Sequence, residues 1–249
     1  MSPFLAEFIG TAVLLFLGIG VVANVSLNKT KAFGSSPTGK WILITTAWGF
    51  AVFFGVIVSG TYSGAHLNPA VTVGFAIADK FAWSHVPQYL LAQLLGAMLG
   101  AAIAYLFYSD HIRSTTDENT IRGCFSTEPA IRNYANNFFS ECAGTFMLVF
   151  LIFFIASPIL TIDGLDDIQY GIGSMDAFPV GVLVWLIGMT LGGTTSYAIN
   201  PARDLGPRIV YALFRGKKAK PDWSYSWVPV LGPLTGGLLA GRLLIFNLI

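Results

Sequence analysis

Charge is what this chain has least of. Only 11% of its 249 residues are Asp, Glu, Lys or Arg, 14 basic against 13 acidic, for a net charge of +1. A soluble domain carries about 25%, so the polar cover that a water-facing surface needs is missing. A chain this charge-poor and near-neutral is also no nucleic-acid binder. Cysteine is nearly absent: Cys124 and Cys142 are too few for a multi-bridge secreted framework. The three histidines, His66, His85 and His111, form no metal-spaced cluster. Neither a metal site nor a cofactor is expected, and Ser63 near His66 is an acid–base pair only by proximity. What the chain has in quantity is apolar, 54% of it, which excludes disorder and points to the lipid bilayer.

A helix needs roughly 20 mostly apolar residues to cross about 30 Å of hydrocarbon. Six stretches qualify: about 4–27, 41–60, 86–108, 134–157, 178–196 and 226–248. The first starts at Pro3-Phe4 with no basic region before it and reads as a retained span, not a cleaved signal. Two further apolar segments, near 67–78 and 199–214, are too short to cross. Such half-helices are allowed at membrane depth only where their irregular backbone is buried or lines a water-filled cavity. Glycine pairs at 96/100, 232/236 and 237/241 suit close helix crossings. The charged loop 109–133 reads as a solvated connection. So does 163–176, whose Asp163, Asp166, Asp167 and Asp176 lack the EF-hand pattern.

The sequence repeats itself. Glu7 with the following Gly10-Thr11 reappears as Glu141 with Gly144-Thr145, and Asn68-Pro69-Ala70 reappears as Asn200-Pro201-Ala202. Repeat 1 covers about 4–108 and repeat 2 about 134–248, within one transmembrane domain over 1–249. Each repeat holds three spans and a half-helix. Three is odd, so the second repeat enters the membrane inverted. Inverted repeats with broken helices place a solute site near the midplane. The predicted fold class is therefore all-α: six transmembrane helices plus two re-entrant half-helices, with one pore per subunit.

Pro69 and Pro201 suit the first turn of the half-helices, where a missing N–H is not needed, with Asn68 and Asn200 as N-caps. Two such helices from opposite faces meet N-terminus to N-terminus, and each carries about half a positive charge there. Cations and protons are disfavoured, while an asparagine N–H can donate to a passing neutral oxygen. The residues before each motif, Gly64-Ala65-His66-Leu67 and Ser196-Tyr197-Ala198-Ile199, must leave the helix. The carbonyls of Gly64, Ala65, His66, Ser196, Tyr197 and Ala198 are expected to line the lumen. Glu7 and Glu141, the acids inside spans one and four, would be costly there unless they accept hydrogen bonds that brace these loops.

Ser63-Gly64-Ala65-His66-Leu67-Asn68-Pro69-Ala70-Val71-Thr72 and Ala198-Ile199-Asn200-Pro201-Ala202-Arg203-Asp204-Leu205-Gly206-Pro207-Arg208 resemble the two signature loops of the aquaporin superfamily. Asp204 after Arg203 resembles the aquaglyceroporin branch, the glycerol uptake facilitators. The resemblance implies a passive channel, not an enzyme, for glycerol, water and similar small neutral solutes, without cofactor. It also implies a homotetramer in the cell membrane with cytoplasmic termini. Carried over residue by residue, it places a selectivity filter on Trp48, Gly188, Tyr197 and Arg203. Gly188 would leave room for a carbon backbone, and Arg203 would face the aromatic wall across it. Asp204 would orient Arg203 or nearby loop backbone. Tyr197 departs from the Phe usual in that branch, and its hydroxyl would narrow the filter or add a polar contact. The solute stays open among glycerol, urea, dihydroxyacetone and undissociated lactic acid. A coupled secondary transporter is the alternative class, although ligands for a coupling ion are scarce. The basic residues disagree with that topology. Lys29, Lys31, Lys40, Arg113, Arg122, Arg132, Arg215, Lys217, Lys218 and Lys220 fall on the face it puts outside, against Lys80 and Arg242 inside. Positive-inside counting gives the reverse orientation.

Overall fold

The computed structural model describes residues 1–155 and 173–245, and the backbone of two short strands between them. The membrane-crossing elements are α1 (Pro3–Ser26), α2 (Pro37–Ser63), α4 (Val86–Phe107), α7 (Tyr134–Ile152), α8 (Phe178–Leu191) and α10 (Val228–Ile245). A 3₁₀ turn at Gly173–Ala177 leads into α8 and extends that span to 19 residues. All six are long and apolar enough to cross a bilayer. The half-helices are α3 (Pro69–Ile77) and α9 (Pro201–Arg215). Strands β1 (Ile159–Leu160) and β2 (Ile168–Gln169) pair antiparallel over two residues, too little to alter the all-α class. Asp163, Asp166 and Asp167 lie outside the described residues, as do the ends expected at 156–157 and 246–248.

Helix boundaries follow local chemistry. Ser2 caps α1 through Leu5 N–H, and Ser36 caps α2 through Gly39 N–H, each just ahead of a proline in the first turn. Capping at Ser36 starts α2 four residues before the apolar run. Two spans end earlier than hydrophobicity suggests. α7 stops at Ile152, and α8 stops at Leu191, where Gly192-Gly193-Thr194-Thr195 turns the chain back into the membrane.

Tight glycine contacts hold the bundle together. A Cβ on Gly96 or Gly100 of α4 would overlap the carbonyls of Phe8 and Ala12 in α1, and one on Gly236 that of Cys142 in α7. Each half-helix docks on the opposite repeat. Gly237 and Gly241 of α10 lie against the carbonyls of Ala70 and Gly74 in α3, while a Cβ on Gly206 of α9 would lie 2.8 Å from the Ala97 Cβ in α4. Close backbone approach of this kind is how helices associate without a hydrophobic drive between them.

The connection 109–133 is not the solvated loop expected from its charges. It folds as α5 (Ser109–Ser114) and α6 (Glu118–Phe125), with Asp117 capping α6 through Asn119 and Thr120 N–H. Ile112, Ile121, Cys124 and Phe125 are buried beneath them. Ion pairs hold the cap: Arg122 to Glu128 at 2.6 Å within it, and Arg215 to Glu118 and Arg132 to Asp222 between it and the later sequence. At the edge of the cap, Arg113 pairs with Asp110 of the same helix.

Candidate functional site

The two Asn-Pro-Ala turns meet inside the bundle. Asn68 Oδ1 accepts from Ala70 N–H at 2.9 Å. Asn200 Oδ1 accepts from Ala202 N–H at 3.0 Å and Arg203 N–H at 3.2 Å. Those caps fix the amide orientation, and the turns then reach across to each other. Asn68 Nδ2 donates to the Ile199 carbonyl at 2.7 Å, and Asn200 Nδ2 donates to the Leu67 carbonyl at 2.8 Å. An amide carries two N–H donors, so each asparagine keeps one beyond this cross-link. Pro69, Pro201, Ala70 and Ala202 are buried helix-start and packing residues.

The loops that precede the turns are left-handed at Ala65, Leu67, Ser196, Tyr197 and Ile199, with φ of 52°, 51°, 63°, 37° and 42°. Non-glycine residues held there store about 1–3 kcal/mol each, and persist only where the surroundings over-determine them. The over-determining groups are the two carboxylates. Glu7 accepts from His66 N–H at 2.9 Å and Leu67 N–H at 2.7 Å, and also from Ser63 Oγ and Gln93 Nε2. Glu141 accepts from Ala198 N–H at 2.9 Å and Ile199 N–H at 2.8 Å. Both acids are buried. These bonds turn the N–H groups of His66, Leu67, Ala198 and Ile199 toward the two carboxylates. His66 is a strut: Nδ1 is 3.1 Å from Thr72 Oγ1, and the ring packs among Phe75, Phe81 and Tyr89.

A cavity of about 130 Å³ runs along this junction, well above the roughly 10–15 Å³ that one water requires. Gly64, Ala65, His66, Leu67 and Asn68 line it from one loop, and Tyr197, Ala198, Ile199, Asn200 and Arg203 from the other. Val52, Val56, Val71 and Leu148 supply an apolar wall. Trp48 lines it too, with the Arg203 guanidinium carbon 4.2 Å from its ring centroid, a cation–π distance.

Arg203 and Trp48 are in direct contact within this lining. Gly188 is not among the cavity-lining residues, because the volume it vacates is filled by Tyr197: a Cβ there would lie 2.8 Å from the ring Cζ. Ser196 is also absent from the lining, its hydroxyl donating to the Glu128 carbonyl at 3.2 Å. Of the two roles expected of Asp204, its bonds are those of the loop-backbone one: it accepts from Thr127 N–H and Oγ1 at 2.7 and 2.6 Å and from Arg208 Nε at 2.8 Å, and so fastens the 109–133 cap to α9. Sequence reasoning missed Gln93, Thr127 and Arg208. Arg208 is fully buried and also donates to the carbonyls of Thr127 and Pro221; its signal was its place one turn after Asp204.

Six apolar spans and two half-helices joined at a lined cavity define a multi-pass integral membrane protein of the channel-forming kind. The chain belongs to the major intrinsic protein family, whose model matches residues 1–244. It is 48% identical to glycerol uptake facilitator protein 3 of Lactiplantibacillus plantarum, over 98% of this chain and 95% of that one. It is 47% identical to the glycerol uptake facilitator protein of Streptococcus pneumoniae, over 100% and 99%. Among solved structures it resembles the aquaglyceroporin from Plasmodium falciparum, with a TM-score of 0.79 and 34% identity, covering 96% of this chain and 93% of that one.

Proposed function

We propose that the chain is a passive channel for glycerol and comparable small uncharged solutes, with water, that turns back protons and ions. The observation that carries this reading is the pair of half-helices starting at Asn68 and Asn200, both of which line one cavity. Their N-termini each bring about half a positive charge to the same place, and the Arg203 charge adds to the barrier against cations. Hydroxyl groups of a solute find donors in the asparagine amides and acceptors in the loop carbonyls, while its CH groups lie on the valine and leucine wall. The names of the relatives support glycerol as the solute. Trp48, Tyr197 and Arg203 act as the selectivity filter, and Gly188 acts in it indirectly, by seating Tyr197. Two inverted repeats, about 4–108 and 134–248, make one domain. The assembly is a homotetramer in the cell membrane with cytoplasmic termini, and the face bearing the 109–133 cap lies outside.

Replacing Arg203 with Val tests the charge barrier. Proteoliposomes carrying the variant should leak protons or small cations while still passing glycerol, and an unaltered ionic leak would remove Arg203 from that role. Labelling Lys40→Cys in intact cells tests the orientation. Reaction with an impermeant thiol reagent is expected, and protection would reverse the topology.

A further inference from the structure

Tyr197 sits in a notch formed by Gly188 and by three residues with no place in the proposed filter, Thr45, Gly192 and Trp41. A Cβ on Gly188 would lie 2.8 Å from the ring Cζ and 3.0 Å from Cε2, with Thr45 Cγ2 also at 3.0 Å. One turn further on, a Cβ on Gly192 would overlap the ring Cδ1 and lie 2.9 Å from Trp41 Cζ2. Trp41 closes the notch edge-to-face, at a centroid distance of 6.0 Å and an angle of 79°. The Gly192 backbone is right-handed helical, φ −73° and ψ −15°, a conformation open to any residue. What glycine supplies there is volume. The phenolic oxygen is enclosed with no hydrogen-bond partner among the described residues, while Tyr197 lines the cavity.

We infer that Gly192 and Trp41 are positioning residues for solute selection: together they set how far the Tyr197 ring projects into the passage, and so the width of solute admitted. This inference rests on the reading of Tyr197 as part of the filter. A methyl group at Gly192 would meet both the Tyr197 ring and the Gly188 carbonyl oxygen. With Gly188 and Thr45 against the ring on one side and Trp41 on another, the ring's way out is toward the cavity that Tyr197 lines. Removing Trp41 opens the rear of the notch and lets the ring withdraw.

Stopped-flow light scattering of proteoliposomes with water, glycerol and a four-carbon polyol tests this. The proteins compared are the wild type, Gly192→Ala, Trp41→Ala, Tyr197→Ala and the double variant Gly192→Ala/Tyr197→Ala. Gly192→Ala should lower glycerol permeability about tenfold, the scale of an overpacked contact, and lower water permeability less. The double variant should recover glycerol flux, because the displaced ring is gone. Trp41→Ala should raise permeability to the four-carbon polyol relative to water. An unchanged glycerol-to-water ratio in Gly192→Ala, a loss the double variant does not rescue, or an unchanged polyol cut-off in Trp41→Ala would overturn the inference. If Tyr197→Ala alone leaves every ratio unchanged, the filter reading falls as well, a separate result.

Discussion

The buried carboxylates of Glu7 and Glu141 and the ring of Tyr197 carry the most chemistry at the scale of single residues. A charge at membrane depth is expensive unless its lone pairs are filled, and each acid fills two of them with successive backbone N–H groups of a strained loop. Glu141→Gln exchanges one acceptor oxygen for a donor, leaving one of those N–H groups unpaired. It should lower stability by about 1–3 kcal/mol, read as earlier thermal unfolding in detergent with glycerol flux reduced in parallel; an unchanged melt would remove Glu141 as a brace. Tyr197→Phe should behave oppositely. Its hydroxyl is enclosed and has no partner among the described residues, so glycerol and water fluxes should stay unchanged within about twofold, and the melt should hold or rise, because an unsatisfied buried hydroxyl costs about 1–3 kcal/mol. A large loss of flux would show that the hydroxyl meets the solute. The asparagines and the two glutamates were legible in the sequence, since capping is local and the repeat marks matching positions. Trp41 and Gly192 were not. Their contact with Tyr197 spans three segments, and nothing in the local pattern sets Gly192 apart from its neighbours.

At the scale of elements, the 109–133 connection shows why charge misled. Its acids and bases resemble a solvated loop, yet Arg122 is spent on an ion pair within the cap, and Arg132 and Arg215 on pairs that fasten it. The helical signal was present in Ile121, Cys124 and Phe125, spaced three and four apart after the capping Asp117, and eight residues were too few for it to stand out. The same pairs bear on the basic-residue count, because these arginines have structural work on that face. Beneath the cap, Arg208 and Asp204 form an ion pair with both side chains fully buried. Arg208→Met leaves the carboxylate without its cation and should cost about 3–5 kcal/mol, visible as thermal inactivation at lower temperature; a melt like that of the wild type would contradict the latch. At the rim, hydrogen bonding to Arg132 holds the Asp222 carboxyl below its ordinary value of 3.8. A depressed carboxyl adds stability above that value and loses it as pH falls through the lower folded one. Asp222→Asn should therefore destabilise by about 0–1 kcal/mol near neutrality, as a half-exposed pair allows, and the gap to the wild type should close on acidification. A gap that persisted in acid would rule out this pairing as its source.

For the whole molecule, the six spans and two half-helices follow from hydrophobic run length and from the repeated Asn-Pro-Ala, so the architecture was readable before any coordinates. How the halves interlock was not. Each half-helix docks on a helix of the opposite repeat, through contacts such as Gly237 on Ala70 and Gly206 on Ala97, and more than a hundred residues separate those partners. Passive conduction through the junction of the half-helices is the claim on which the rest depends. Its most direct test is glycerol uptake into proteoliposomes with a pH-sensitive dye inside, measured with and without an imposed proton or sodium gradient. The account predicts rapid glycerol entry at a rate no gradient changes, with a silent dye. Uptake that follows either gradient, or a dye response that accompanies glycerol, would contradict it.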